Sequence, residues 1–229
     1  MKRIVILFLA ALFAASGASA QKFHNAYYDT RRAAHDEEGL QQGAIVFLGN
    51  SITEQGWWSL LLKRGDVENR GIGGDVTDGL LERMDESIFD LEPKKVFINI
   101  GTNDISRPEY KRERLMSRYR KILMQIQARL PETKIYVMSY YPVNRELPGA
   151  DPEAVKAQFG ARTNAELKEV NAEVEKMAAE LGCTYINVFD CLLDEKGNLK
   201  AEYTIEGMHM YANGYAVVLE KLMPYLLEE

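Results

Sequence analysis

Four short stretches of this chain carry residue types that could do chemistry together. Ser51 follows the apolar run Ile45-Val46-Phe47-Leu48 and the pair Gly49-Asn50. A glycine-rich turn, NRGIGGD, occupies 69–75, GTND occupies 101–104, and EGMH ends in His209. These types suit acyl transfer. A serine hydroxyl is a poor nucleophile until a base takes its proton, and an imidazole does that near neutral pH. A tetrahedral intermediate needs donors aimed at its oxyanion, which backbone N–H groups in a glycine turn and an asparagine amide supply. The imidazole in turn needs a carboxylate to orient it. Each residue also has a plain structural use. Ser51 can cap a helix, Gly71, Gly73 and Gly74 can shape a turn, and Asn103 can sit in one. The glycines do not spell the dinucleotide fingerprint, because Val76 stands where its last glycine belongs. The other two histidines, His24 and His35, precede every predicted strand. It is the joint occurrence of the four stretches, each after a strand-like run or before the last helix, that favours chemistry.

Such residues need elements to position them. Continuous apolar runs predict strands at 44–49, 66–71, 95–101, 134–140 and 184–190, the second more polar and suited to a sheet edge. Helical periodicity covers 77–89 through Leu80, Leu81, Met84 and Ile88. Ser106 with Glu109 reads as a capping box opening a long helix whose stripe runs from Leu115 to Leu130, stopped by Pro131. Thr163 with Glu166 repeats the box, Gly182 closes that helix, and a last helix spans about 212–227. Alternation of strand and helix predicts an α/β fold: a flavodoxin-like, three-layer α/β/α sandwich on a five-stranded parallel sheet. Ligands of such sheets bind beyond the carboxyl ends of the strands, where Ser51, the glycine turn and Asn103 fall. The stretch 140–162 reads as one long irregular loop, with Tyr140 and Tyr141 as wall residues of a site. Trp57 and Trp58 follow the serine closely; one is expected in the core, and Trp57 could stack on a sugar face.

The bulk numbers narrow the partners. With 28 basic and 34 acidic residues the net charge is −6, which disfavours nucleic acid and anionic membrane. Residues 1–20 have a basic start, an apolar run and an Ala-Ser-Ala end, the pattern of a secretory signal peptide; the apolar run is short of the roughly 20 residues a spanning helix needs. The expectation is an exported, periplasmic or secreted domain over 21–229, without stable membrane insertion once the signal is cleaved. Cys183 and Cys191 flank a predicted strand. Extended chain at about 3.3 Å per residue holds them too far apart to bridge, so two free, mostly buried thiols are expected.

On its motifs the chain resembles the SGNH hydrolases, the GDSL-type esterase and lipase superfamily. The family's blocks are matched in order by GNSIT, NRGIGG, GTND and EGMH. The resemblance implies Ser51 as nucleophile, His209 as base, and the Ser51 and Gly74 N–H groups with the Asn103 amide as oxyanion hole. It implies no metal or cofactor. Two positions depart from the family pattern. Asn50 replaces the usual aspartate before the serine, which predicts altered local hydrogen bonding without loss of activity. Glu206 replaces the usual aspartate three residues before His209 and is assigned the orienting role. Exported, non-basic members resemble carbohydrate O-acetylesterases and platelet-activating-factor acetylhydrolases, so the implied reaction is hydrolysis of a small acyl ester, an acetyl group on a glycan. The alternatives are a lipid-directed esterase or lysophospholipase, and a catalytically inactive glycan-binding protein on the same scaffold.

Overall fold

The computed structural model describes residues 23–38, 41–147, 149 and 151–228. The predicted signal peptide lies outside them. Five strands form one parallel sheet: β1 (Ile45–Gly49), β2 (Val67–Gly71), β3 (Lys95–Asn99), β4 (Lys134–Met138) and β5 (Thr184–Ile186), in the order β2-β1-β3-β4-β5. The helices are α1 (Ala26–Glu37), α2 (Ser51–Glu54), α3 (Trp58–Leu62), α4 (Thr77–Glu82), α5 (Thr102–Ile105), α6 (Arg112–Arg129), α7 (Pro152–Phe159), α8 (Asn164–Glu180) and α9 (Ala212–Leu227). Helices lie on both sides of the sheet, giving the expected three-layer α/β/α architecture, and the polar β2 is an edge strand. Among the described residues no helix is long and apolar enough to cross a membrane.

The apolar runs of β1 and β3 are buried at every position, as strands covered on both faces must be. Parallel register places Phe47 beside Phe97 and Phe97 beside Tyr136. Their rings stack at 5.1 Å and 4.6 Å, and Trp58 of α3 extends the stack over Phe47 at 4.1 Å. This cross-strand aromatic row fixes α3, and with it the segment after Ser51, against the sheet. Trp58 is thus the core member of the tryptophan pair.

Several predicted boundaries shift for identifiable reasons. β5 stops at Ile186 because the Asn187 side chain accepts the N–H groups of Phe189 and Asp190 and turns the chain. The helix predicted over 77–89 is α-helical only to Glu82 and continues as a π-helical turn, Asp85–Phe89. Ser106 does not open the long helix: it closes α5, donating to the Asn103 carbonyl, and α6 starts at Arg112 with no side-chain cap. Pro108 lies between the two, and the residue before a proline is disfavoured in helical backbone. Thr163 caps α8 by accepting the Glu166 N–H, but the Glu166 carboxylate is taken by Arg112 and Tyr110, so only half of the capping box forms. Gly182 closes α8 with φ of 68°. The stretch 140–162 is not wholly irregular, since Asp151 caps α7 within it. Cys183 and Cys191 are free, each half-buried rather than fully so; burial pushes the Cys183 thiol up to about 11.

One buried arginine binds the strand ends to the loop behind them. Arg83 donates to the carbonyls of Gly49 and Arg70, to Ser87 Oγ, and through Nε to Asp75 at 2.8 Å, with both ionic side chains fully buried. Burial pushes Asp75 up to about 6 even against the pull of Arg83. Arg83→Met therefore leaves a buried carboxyl without its counter-charge, and we expect a loss of about 3–5 kcal/mol in urea unfolding at neutral pH. The sign follows from the raised pKa: a fold that binds the Asp75 proton more tightly than the unfolded chain loses stability as pH rises from 3.8 through that value. Without Arg83 the folded value climbs further, so the deficit of the variant should widen above pH 6. A deficit independent of pH would mean that the carbonyl contacts, not the ion pair, carry the effect.

Candidate active site

The site is built at the carboxyl end of β1. Gly49 ends the strand where a Cβ would overlap Thr53 and the Asn99 carbonyl, so only glycine fits. Asn50 is extended, and its Oδ1 accepts the Ile52 N–H at 3.0 Å, capping α2. Asn50 Nδ2 is buried without a protein partner among the described residues. Ser51 is the first residue of α2, held half-buried above the strand end.

The second half comes from residues 204–210, a narrow antiparallel bridge in which Thr204 pairs with Met210. The His209 carbonyl accepts from the Ile205 N–H and from Thr204 Oγ1, and Gly207, at φ of 97°, lies where a Cβ would strike the Asn144 carbonyl. This clamp aims the imidazole. His209 Nε2 lies 2.9 Å from Ser51 Oγ, and Nδ1 lies 2.5 Å from Glu206 Oε1. Glu206 Oε1 also accepts the His209 N–H at 3.1 Å, so the longer glutamate side chain folds back on its own turn. A carboxylate accepts only, which puts the ring proton on Nδ1 and leaves Nε2 free to accept from the serine hydroxyl. Burial works against the Glu206 charge, but the hydrogen bonds from the His209 ring and backbone outweigh it and hold the carboxyl below its ordinary value.

The loop after β2 is pinned on three sides. The Glu54 carboxylate, one turn along α2 from Ser51, accepts the Gly73 N–H at 2.8 Å and the Tyr27 hydroxyl at 2.7 Å, and pairs with Arg31. Asn103 Nδ2 donates to the Asp75 carbonyl at 2.9 Å. Asp104 takes both the N–H and the hydroxyl of Thr77. Between these anchors Gly74 adopts φ of 77°, a left-handed backbone that glycine accommodates. Among the described residues neither the Gly74 N–H nor the Ser51 N–H has a protein acceptor. The structure thus brings Ser51, His209 and Glu206 into one hydrogen-bonded line, with Gly74 and Asn103 in a loop braced against the same strand ends. Glu54, Asp104 and Arg83 were not singled out as supports by the sequence; the one signal was Glu54 three residues after Ser51 in a helix.

Tyr140 and Tyr141 require correction. Their side chains are 2% and 3% exposed, and the Tyr140 hydroxyl donates to the Ile100 carbonyl at 2.8 Å. They continue the buried end of β4 and are core residues, not walls of a site. Trp57, at 66% exposed, is open to solvent.

If the Asn103 amide donates to a developing oxyanion, its removal should cost the chemical step. We expect Asn103→Ala to lower kcat on a small ester by about 10²–10³-fold. An unchanged kcat would leave Asn103 only its tie to Asp75.

The GDSL-like Lipase/Acylhydrolase family matches residues 47–217, from the middle of β1 into α9. The N-acylneuraminate cytidylyltransferase of Escherichia coli O18:K1:H7 (strain RS218 / NMEC) is 28% identical over 179 residues, covering 76% of this chain; the chain spans only 38% of that relative's length. A Streptococcus pneumonia structure named for platelet activating factor superposes with a TM-score of 0.77 at 27% identity, over 95% of this chain and 99% of that one. A GDSL-like lipase from Bacteroides thetaiotaomicron VPI-5482 gives 0.71 at 24% identity over 87% and 98%, and an acetylxylan esterase from Geobacillus stearothermophilus gives 0.64 at 16% over 83% and 98%. The last two likenesses speak to the fold alone. With the family matched from the middle of β1 to α9, and so across both ends of the serine–histidine line, the chain belongs to the GDSL-like lipase/acylhydrolase family.

Proposed function

We propose that the protein is an exported serine esterase that removes small acyl groups, acetyl above all, from carbohydrate through an acyl-enzyme. The observation that carries the mechanism is the continuous line from Ser51 Oγ through His209 to Glu206, at 2.9 Å and 2.5 Å. Ser51 Oγ attacks the ester carbonyl carbon as its proton passes to His209 Nε2. The carbonyl oxygen gains negative charge, with the Ser51 and Gly74 N–H groups and the Asn103 amide as its donors. The intermediate collapses, the bond to the alcohol oxygen breaks, and Nε2 returns the proton to that oxygen. Water then attacks the acyl-enzyme, giving its proton to Nε2; the carboxylic acid leaves and Ser51 Oγ is reprotonated. Glu206 holds the Nδ1 proton throughout and stabilises the imidazolium that forms.

The carbohydrate reading is supported by exposed Trp57 and by structural likeness to an acetylxylan esterase. Export, to the periplasm or beyond, rests on the composition of residues 1–20. A lipid-directed esterase is the second reading, favoured by the likeness to the structure named for platelet activating factor. An inactive glycan-binding scaffold is disfavoured by the intact serine–histidine–glutamate line. The test is hydrolysis of p-nitrophenyl acetate by the wild type and by Ser51→Ala, followed by butyrate and octanoate esters. Turnover that vanishes with Ser51 and declines with acyl length is expected. Turnover that persists in Ser51→Ala would refute the mechanism, and rates rising with acyl length would favour the lipid reading.

A further inference from the structure

A cleft of about 320 Å³ is lined by Gln55, Trp57, Leu61, Ile205, Met210 and Tyr211 among others, chain neighbours of Ser51 and His209, which do not themselves line it. Its position follows from the backbone. The Gln55 N–H donates to the Ser51 carbonyl, so Gln55 is one helical turn from the nucleophile. Ile205 pairs with His209 across the bridge, and Tyr211 is two residues further along the same extended segment. No lining residue comes from 69–77 or 101–105, the segments that carry Gly74 and Asn103.

This one-sided lining matters chemically. In ester cleavage by a serine and a histidine, the carbonyl oxygen faces the oxyanion donors, while the departing alcohol oxygen must reach Nε2 to receive its proton. The alcohol therefore leaves on the histidine side, where this cleft lies. We propose that the Trp57–Ile205–Tyr211 cleft is the leaving-group subsite and takes a pyranose ring by its C–H face, an inference that rests on the esterase reading above. The surface has the amphipathic character such a ring needs. Trp57 and Tyr211 are 66% and 51% exposed, offering flat apolar faces, and Gln55 and Tyr211 add an amide and a hydroxyl to the lining. Among the described residues neither of these polar tips has a protein partner, so both can meet ring hydroxyls. A mostly apolar floor with a few placed polar groups is the usual make-up of a small-molecule site. The acetyl group, by contrast, is bound at the oxyanion side, so acyl and alcohol preferences are set by different residues.

The proposal is tested by separating those preferences. For the wild type and for Trp57→Ala, kcat/KM is measured on ethyl acetate, ethyl butyrate and an acetylated methyl β-xylopyranoside. We expect Trp57→Ala to lower the xyloside-to-ethyl ratio at fixed acyl group by about tenfold, and to leave the butyrate-to-acetate ratio where it was. Tyr211→Ala should move the first ratio in the same direction. A readout without turnover accompanies it. The chain has two tryptophans, and Trp58 is buried, so unacetylated methyl β-xylopyranoside should change the emission of Trp57 saturably, and the change should vanish in Trp57→Ala. A butyrate-to-acetate ratio that shifts instead would make the cleft the acyl site and overturn the proposal. Saturable quenching by octyl alcohol but not by the glycoside would overturn it in favour of a lipid subsite. Ser51-dependent turnover that ignores the alcohol, with no quenching, would also overturn it. Failure of the esterase reading is distinguished by absent Ser51-dependent hydrolysis of every ester.

Discussion

His209→Ala is expected to lower kcat for a small acetate ester by about 10⁶-fold, the scale seen when a serine hydrolase loses its base. The argument is one of supply. Among the described residues Ser51 Oγ has one base within hydrogen-bonding distance, His209 at 2.9 Å. Neither remaining histidine can replace it. His24 is engaged on the surface, both ring nitrogens bonded to Asp29 and Glu82. His35 is fully buried, its ring without a protein partner among the described residues, and burial together with Arg83, Arg70 and Arg31 drives it down to about 3, so it is neutral and enclosed. The fold should survive the change. His209 is only half-buried, and its segment is held by Thr204, Gly207 and Asn144 through backbone contacts the substitution leaves in place. Pre-steady-state release of p-nitrophenol is the measurement, with unfolding followed in parallel. A rate within tenfold of wild type would require another base and would dismantle the assignment of His209 and Ser51 together.

How much of this was legible in the sequence depends on the range of the interactions involved. The strands were, because burial on both faces writes itself as a continuous apolar run: β1, β3 and β4 begin within a residue of their predicted starts. The edge position of β2 followed from Glu68, Asn69 and Arg70 interrupting its run. Ser51, His209 and Glu206 could be nominated because each sits in a compact motif. What local pattern could not supply was the competition among side chains distant in sequence. Glu166 reads as the partner of Thr163, yet Arg112, far earlier in the chain, takes its carboxylate. Tyr140 and Tyr141 read as loop residues, yet Ile100 and the core receive them. The spacing of Glu54 from Ser51 places it on the same short helix but does not reveal its role, because its partners Tyr27, Arg31 and Gly73 converge only in the fold.

Glu206→Gln should cost about 10⁴-fold in kcat, the loss that an amide causes at the corresponding place in a serine triad. The glutamate carboxylate does two things that a glutamine cannot do together. It accepts from Nδ1, which leaves Nε2 facing Ser51 as an acceptor, and its charge stabilises the imidazolium formed when the serine proton arrives. A glutamine that turns its oxygen to Nδ1 keeps the tautomer and loses the charge. One that turns its NH₂ to Nδ1 forces the proton to Nε2, where it opposes the serine hydroxyl. Stability supplies an independent check. Folding holds the Glu206 carboxyl below its ordinary value, so its ionisation stabilises the native state at neutral pH, and that contribution is lost as pH falls through the folded value. The gap in Tm between wild type and Glu206→Gln should accordingly be largest near neutrality and shrink on acidification. Glu206→Asp separates charge from reach, because it keeps the carboxylate but withdraws it by one methylene. If Asp restores activity while Gln does not, charge is what His209 requires. If both fail alike, the 2.5 Å contact that only the longer side chain makes is the requirement. If Gln alone is neutral, the carboxylate does not orient the base, and the bridge from Thr204 to Met210 positions the imidazole unaided.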